Sequence, residues 1–359
     1  MAMIRKFAVL AAFVFCLPGQ AFGGPIETLI VFGDSLSDSG NAYNIVRSVV
    51  PTAQFPPPPN NRRNSNGLVA AEYLGQALGI PLAPATEGGT NYAVSGAMTG
   101  VLTSVFPLPP APGGALFTTE NYADPVFGVS MLRSGTGLGS QIGQFVTSGA
   151  TFDPDSTLFM VWAGANDLFF SPQQATVQSA LANIADGLVT LVGAGAESIL
   201  VPGLPDLSLT PAIREMDAAN PGLGIANGYR ELSLGFNQGL GALLALLSFQ
   251  LQPLQPDLTL IPFDVNQALI GIIADPGALG LSNVSEGCND MAFTTTCANP
   301  QEYLFWDPVH PGDRVHAELG RQFAAAVTGQ VPEPGTLMLL VAAAVAATGL
   351  TRGMRARSR

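Results

Sequence analysis

At 359 residues the chain is longer than one small core needs, yet within reach of a single α/β unit flanked by processed ends. Its formal net charge is −12, and six of its 14 basic residues lie in residues 1–23 and 336–359, which hold none of the 26 acidic ones, so the body between them carries −18. A body so poor in cations has nothing to grip a phosphate backbone and does not seek anionic surfaces unaided, which excludes nucleic-acid binding.

The first element is a leader: Arg5 and Lys6, the apolar run "FAVLAAFVFCL" and the small-residue exit "QAFGG" have the form of a secretory signal peptide over residues 1–23. Cys16 has no lipoprotein-type box before it and leaves with the leader. The body, residues 24–330, alternates short β-rich apolar runs with longer helix-like segments. That alternation predicts a parallel sheet covered on both faces. The expected strands are 28–33 ("TLIVFG"), 90–95 ("TNYAVS"), 157–164 ("TLFMVWAG"), 198–203 ("SILVPG") and 258–265 ("LTLIPFDV"). The expected helices cover 67–78, 174–194, roughly 224–250, 266–274 and 313–328, the last started by Pro311 and capped by Asp313. Residues 51–66 and 99–140 read as Pro/Gly-rich insertions without periodicity, the kind of long loop that is either disordered or a binding element.

Cys288 and Cys297 remain after the leader is removed. A close pair in an exported chain most simply forms one disulfide, whose short loop is worth about 2–3 kcal/mol on the loop-entropy model. A zinc site would need further ligands nearby.

The chemistry centres on "VFGDSLSDSGN", residues 31–41. A buried parallel strand ending in Gly33-Asp34-Ser35-Leu36 delivers Ser35 to the carboxyl edge of the sheet, where open α/β folds bind ligands. A serine hydroxyl needs a base within hydrogen-bond reach and donors for the oxyanion it generates. Only His310 and His316 could be the base. His310 follows Asp307 by three residues, a spacing that lets a carboxylate hold the far imidazole nitrogen; the plain alternative is a turn before the last helix. His316 reads as structural or solvent-facing. Gly96 and Asn166 stand just past two expected strands and could supply a backbone and an amide donor. Each also has an ordinary reading, Gly96 as a turn glycine and Asn166 as the cap of a helix starting near Asp167.

Taken together, Gly33-Asp34-Ser35-Leu36, Gly96, Gly164-Ala165-Asn166-Asp167 and Asp307-Pro308-Val309-His310 resemble the four blocks of the GDSL, or SGNH, hydrolases, in the same order over about residues 27–328. "RRNSNGLVAAEYLGQALGIP", "VPGLPDLSLTP" and "CANPQEYLFWDPVHPG" resemble the stretches around those blocks. The resemblance implies a three-layer α/β/α sandwich with a five-stranded parallel, flavodoxin-like sheet. It implies Ser35 as nucleophile, His310 as base, Asp307 as its orienting carboxylate, and an oxyanion hole made by Ser35, Gly96 and Asn166. Asp34 and Asp38 are expected to shape the loop. The G-x-S-x-G elbow of the α/β-hydrolases is not found here. The implied reaction is ester hydrolysis on a lipid-type substrate, with no metal or organic cofactor. A carbohydrate O-acetyl esterase acting on exopolysaccharide is the variant within the class. A non-catalytic envelope or matrix-binding protein on the same scaffold is the alternative from outside it.

The last segment, 331–359, joins Val331-Pro332-Glu333-Pro334, about seventeen mostly apolar residues, and Arg352, Arg355, Arg357 and Arg359, a length at the short end for a membrane span. It resembles the PEP-CTERM sorting tail of Gram-negative bacteria, with an ordinary C-terminal anchor as the alternative. That resemblance implies export to the periplasm, cell surface or medium. It also implies signal peptidase and an exosortase-like enzyme as partners, and transient membrane contact through the tail.

Overall fold

Four apolar runs form parallel strands, β1 (Thr28–Gly33), β2 (Thr157–Trp162), β3 (Ser198–Pro202) and β4 (Thr259–Phe263), hydrogen-bonded to one another in that order. The computed structural model describes residues 25–53, 55–56, 62–100, 120–123, 130–290 and 294–329; the expected leader and tail, and most of the insertion after residue 100, lie outside the described residues. Side chains along a strand point alternately to its two faces. Here Ile30, Phe32, Phe159, Val161, Ile199 and Val201 enter one core, while Leu29, Val31, Leu158, Met160, Trp162 and Leu200 enter another. Burial on both faces is why these strands read as continuous apolar runs.

The helices among the described residues are, in chain order, α1 (Asn41–Val49), α2 (Ala70–Leu78), α3 (Leu138–Thr147), α4 (Ala165–Phe170), α5 (Gln174–Gly193), α6 (Pro211–Ala219), α7 (Ile225–Leu251), α8 (Val265–Ala274) and α9 (Asp313–Val327). Three of them, α3, α5 and α7, bury apolar stripes such as Leu138, Ile142 and Phe145 against the first face, at the spacing of an amphipathic helix. On the second face lie α2, α8 and α9, the last contributing Val315, Leu319, Phe323 and Val327. The result is the expected α/β/α sandwich.

The fifth expected strand takes a less regular form. Residues 90–94 run beside β1 in parallel, with Val31 N–H donating to Thr90 O (3.1 Å), Tyr92 N–H to Val31 O (2.7 Å) and Val94 N–H to Gly33 O (3.1 Å). Outward, Asn91 N–H donates to Ala83 O and Asn91 O accepts from Ala85 N–H. An edge segment bonded to a loop on its free side loses the regular ladder while keeping its place. The stretch read as aperiodic up to residue 140 gives way to α3, which begins at Leu138. Asp313 is not the cap of α9. It is the first helical residue, its carboxylate accepts from Tyr73 Oη and Leu68 N–H, and its own N–H is satisfied by Asn66 Oδ1 at 2.7 Å. The cap is thus supplied from 247 positions away.

Gln141, from α3, seals the end of β1. Only 2% exposed, its side chain accepts from Gly33 N–H (2.9 Å) and donates to Gly33 O (2.8 Å) and Thr136 O (2.7 Å). On the opposite face His316 is fully buried, with Nδ1 accepting from Ala70 N–H at 3.2 Å. It is structural, and burial pushes its imidazole down to about 3.

Two stability measurements follow from these contacts. Gln141→Leu leaves the Gly33 N–H without its acceptor in a buried setting and is expected to cost about 2–4 kcal/mol, read from the denaturant midpoint. Because His316 binds its proton near pH 3 folded but near 6.5 in its ordinary state, the unfolded chain takes up a proton that the fold refuses. Stability is therefore complete above about pH 6.5 and declines as the pH falls toward 3. His316→Asn, which keeps an acceptor for Ala70 but cannot titrate, is expected to flatten that acid limb by up to about 1.4 kcal/mol per pH unit.

Candidate active site

The chain leaves β1 for its neighbour on one side, residues 90–94, and then crosses back to β2 on the other side. Such a reversal of strand order opens a crevice at the carboxyl ends of the strands. The three loops that border it carry Ser35 after β1, Gly96 after the edge segment and Asn166 after β2. A Cβ at Gly33 would sit 2.2 Å from Trp162 O, so glycine lets the strands stay in contact at the point where the chain turns out. The turn closes through Ser37 N–H and Asp38 N–H on Asp34 O, while Leu36 N–H donates to Asp34 Oδ1.

Ser35 Oγ lies 2.8 Å from His310 Nε2. His310 Nδ1 is 2.9 and 2.8 Å from the two carboxylate oxygens of Asp307. Asp307 is fully buried, and its Oδ1 also accepts from Val309 N–H and His310 N–H. The Asp307-to-His310 spacing therefore makes a tight Asx-type turn in which one carboxylate fixes both the backbone and the ring of His310. His316 takes no part in this chain of contacts.

The loop bearing Asp307 and His310 is braced from the side. β5 (Asn283–Gly287) and β6 (Tyr303–Phe305) pair in parallel, and the Cys288–Cys297 disulfide follows β5 directly. Beyond the paired strands Cys288 N–H donates to Phe305 O, and Asn289 donates through both N–H and Nδ2 to Trp306 O. A Cβ at Gly287 would come within 3.0 Å of the Asp307 carbonyl, so the end of β5 presses against the backbone of Asp307 itself.

The proposed oxyanion donors converge as well. Among the described residues the N–H groups of Ser35 and Gly96 have no acceptor. One N–H of the Asn166 amide is held by Ala97 O at 3.0 Å, which leaves the other for the crevice. Asn166 lies inside α4 and does not cap it; Gly164 occupies the cap. Gly96 has φ +82°, and a Cβ there would meet Asn121 Oδ1 at 2.3 Å. Its glycine is required by conformation and by space.

Buried acids surround this centre. Asp38 collects the N–H groups of Gly40, Asn41, Ala42 and Ser95 together with Ser95 Oγ, tying the Ser35 loop to the residue before Gly96, as its expected loop role requires. Burial raises it, against the pull of those donors. Asp34 is pushed up to about 7 by burial, opposed by the Leu36 N–H and by His310. Asp167 is pushed up to about 6, again by burial, opposed by the hydroxyl and N–H of Thr99.

A cavity of about 300 Å³ opens beside Ser35, with Phe55, Tyr122, Phe169, Ile213, Met216 and Tyr229 among its walls. Sequence reasoning missed most of these residues, and also Asn64, whose Oδ1 accepts from Ser95 Oγ at 2.8 Å at the polar edge of the cavity. A polar cluster before a helix signals a turn and nothing more specific, and helix positions such as Tyr229 read simply as core.

The chain has relatives among known proteins. Over 343 residues the chain is 27% identical to a GDSL esterase/lipase of Arabidopsis thaliana, covering 83% of this chain and 82% of that one. It is 30% identical over 324 residues to the esterase EstA of Pseudomonas aeruginosa, covering 83% of this chain and 47% of the esterase. A crystal structure of a lipolytic G-D-S-L family member from Veillonella parvula aligns with 85% of this chain and all of that one, at 12% identity and a TM-score of 0.38. The model of GDSL-like lipases and acylhydrolases matches residues 29–323, a span that begins in β1 and ends in α9 and so takes in the whole arrangement around Ser35: the chain belongs to the GDSL-like lipase/acylhydrolase family.

Proposed function

We propose that this carboxylic ester hydrolase works through an acyl-enzyme on Ser35, with His310 as general base and then acid, and with Asp307 orienting it. The observation that carries the reading is the continuous relay from Ser35 Oγ through His310 to Asp307, with 2.8 Å at each end of the ring. A carboxylate at Nδ1 keeps the imidazole proton there and turns the Nε2 lone pair toward the serine hydroxyl. As Oγ bonds to the ester carbonyl carbon, its proton passes to Nε2 and the carbonyl oxygen becomes an oxyanion. The N–H groups of Ser35 and Gly96 and the second amide N–H of Asn166 are the donors for that charge. Collapse expels the alcohol, which takes the proton from Nε2. Water then attacks the acyl-enzyme with His310 again as base, and the acid departs. One ester and one water are consumed for one acid and one alcohol.

The substrate is a lipid-type ester. Support comes from the cavity walls, which are mostly aromatic and aliphatic beside Ser35. An apolar cavity of about 150 Å³ accommodates benzene, so 300 Å³ offers room for about a dozen carbon atoms.

The body acts outside the cytoplasm, delivered by residues 1–23 and sorted through residues 331–359. The leader's basic start and apolar run support this, as does the Pro332-Glu333-Pro334 element before an apolar stretch and four arginines. The Cys288–Cys297 disulfide is of a kind that persists in oxidising compartments.

With p-nitrophenyl acetate, butyrate, octanoate and palmitate as substrates, Ser35→Ala is expected to fall to background. Asn166→Ala is expected to lose on the order of 100-fold in kcat, with KM little changed. Octanoate should exceed acetate; a profile that peaks at acetate would point to the glycan deacetylase instead. Mass spectrometry of the protein from its native host is expected to find residues after the Pro-Glu-Pro element absent, whereas an intact C-terminus would make the tail an anchor.

A further inference from the structure

The cavity beside Ser35 has many aromatic and aliphatic walls, with polar side chains such as Asn64, Ser95 and Thr210 among them. Tyr229, on α7, is only 6% exposed and lines the cavity. Its hydroxyl has no hydrogen-bond partner among the described residues. Tyr122 lines the same space, and its hydroxyl likewise has none. The ring of Phe169 stands against both, 6.3 Å from Tyr122 and 6.0 Å from Tyr229 between centroids. The two phenols are close enough for the charge of one to disfavour that of the other. Burial raises both, so each stays a neutral O–H that can donate and accept. A buried tyrosine hydroxyl ordinarily finds a partner. Here both tyrosines line the space a substrate would occupy.

We infer that Tyr229, assisted by Tyr122, is a polar subsite on the wall of the cavity that recognises a hydroxyl on the acyl chain of the substrate. The enzyme's preferred substrates would then be medium-chain hydroxyacyl esters, and plain alkanoyl esters would be poorer. This rests on the reading of Ser35 as nucleophile. The acyl group stays bonded to Ser35 through two steps while the alcohol must leave between them, so a cavity wall beside Ser35 suits the acyl chain. A site built around an enclosed hydroxyl disfavours the analogue that lacks the partner, because the phenol is then covered and unpaired.

The test compares kcat/KM for p-nitrophenyl decanoate with kcat/KM for its monohydroxylated analogues, substituted at successive carbons from the ester to the chain end. The native protein is expected to prefer one of the hydroxylated analogues over the plain decanoate by about three- to tenfold. Tyr229→Phe is expected to bring that ratio to about one, and Tyr122→Phe to lower it partway. Melting temperature establishes that each variant is folded, and the native-protein ratio is decisive on its own. The inference is overturned if no analogue is preferred, or if the preference survives in folded Tyr229→Phe. Ser35→Ala separates the two levels: retained hydrolysis in that variant would remove the nucleophile reading, whereas a flat ratio with a dead Ser35→Ala removes only the subsite.

Discussion

The end of β1 is the point on which the rest of the molecule depends. There the chain must leave a sheet that has neighbours on both sides, and it must do so without opening the sheet. Gly33 allows the contact because it has no side chain to meet Trp162 O. Gln141 and Val94 satisfy the backbone groups that would otherwise be orphaned where the ladder ends. The serine hydroxyl is presented on a rigid rim for that reason, and rigidity is what a nucleophile needs if its base is to stay at hydrogen-bond distance. A buried polar clamp of this kind is a high-stakes device: each of its groups is satisfied only while α3 and the edge segment are both docked.

The arrangement around that rim divides the work between charge and exclusion of water. Asp307 is buried, and both of its carboxylate oxygens lie against the His310 ring. Asp34 and Asp167 lie within the same protected region, but burial raises both. Burial disfavours the charged form of both carboxyl groups.

Much of this was legible in the sequence, and the reasons are physical. Strands buried on both faces leave uninterrupted apolar runs, so β1 to β3 stand out. Ser35, Asp307 and His310 fall in short local patterns whose geometry is set by turns of a few residues. What escaped was what long-range contact decides. The edge segment at residues 90–94 has strand-like residues, but a loop across from Asn91 breaks its regularity. Asn66 caps α9 from the far end of the chain, and no local pattern can announce that. α3 begins at the close of a Gly-rich stretch, where its apolar spacing is masked by what precedes it. Tyr122 and Tyr229 come together only because Phe169 lies between them.

The hydrogen bond between Ser35 and His310 joins positions 275 residues apart. Ser35 lies near the start of the described residues and His310 near their end, and α9, which follows His310, packs directly on α2, which follows Ser35. Closing so long a loop is an entropic cost that falls late in folding. The contact between Ser35 and His310 exists only where the two ends of the domain have met.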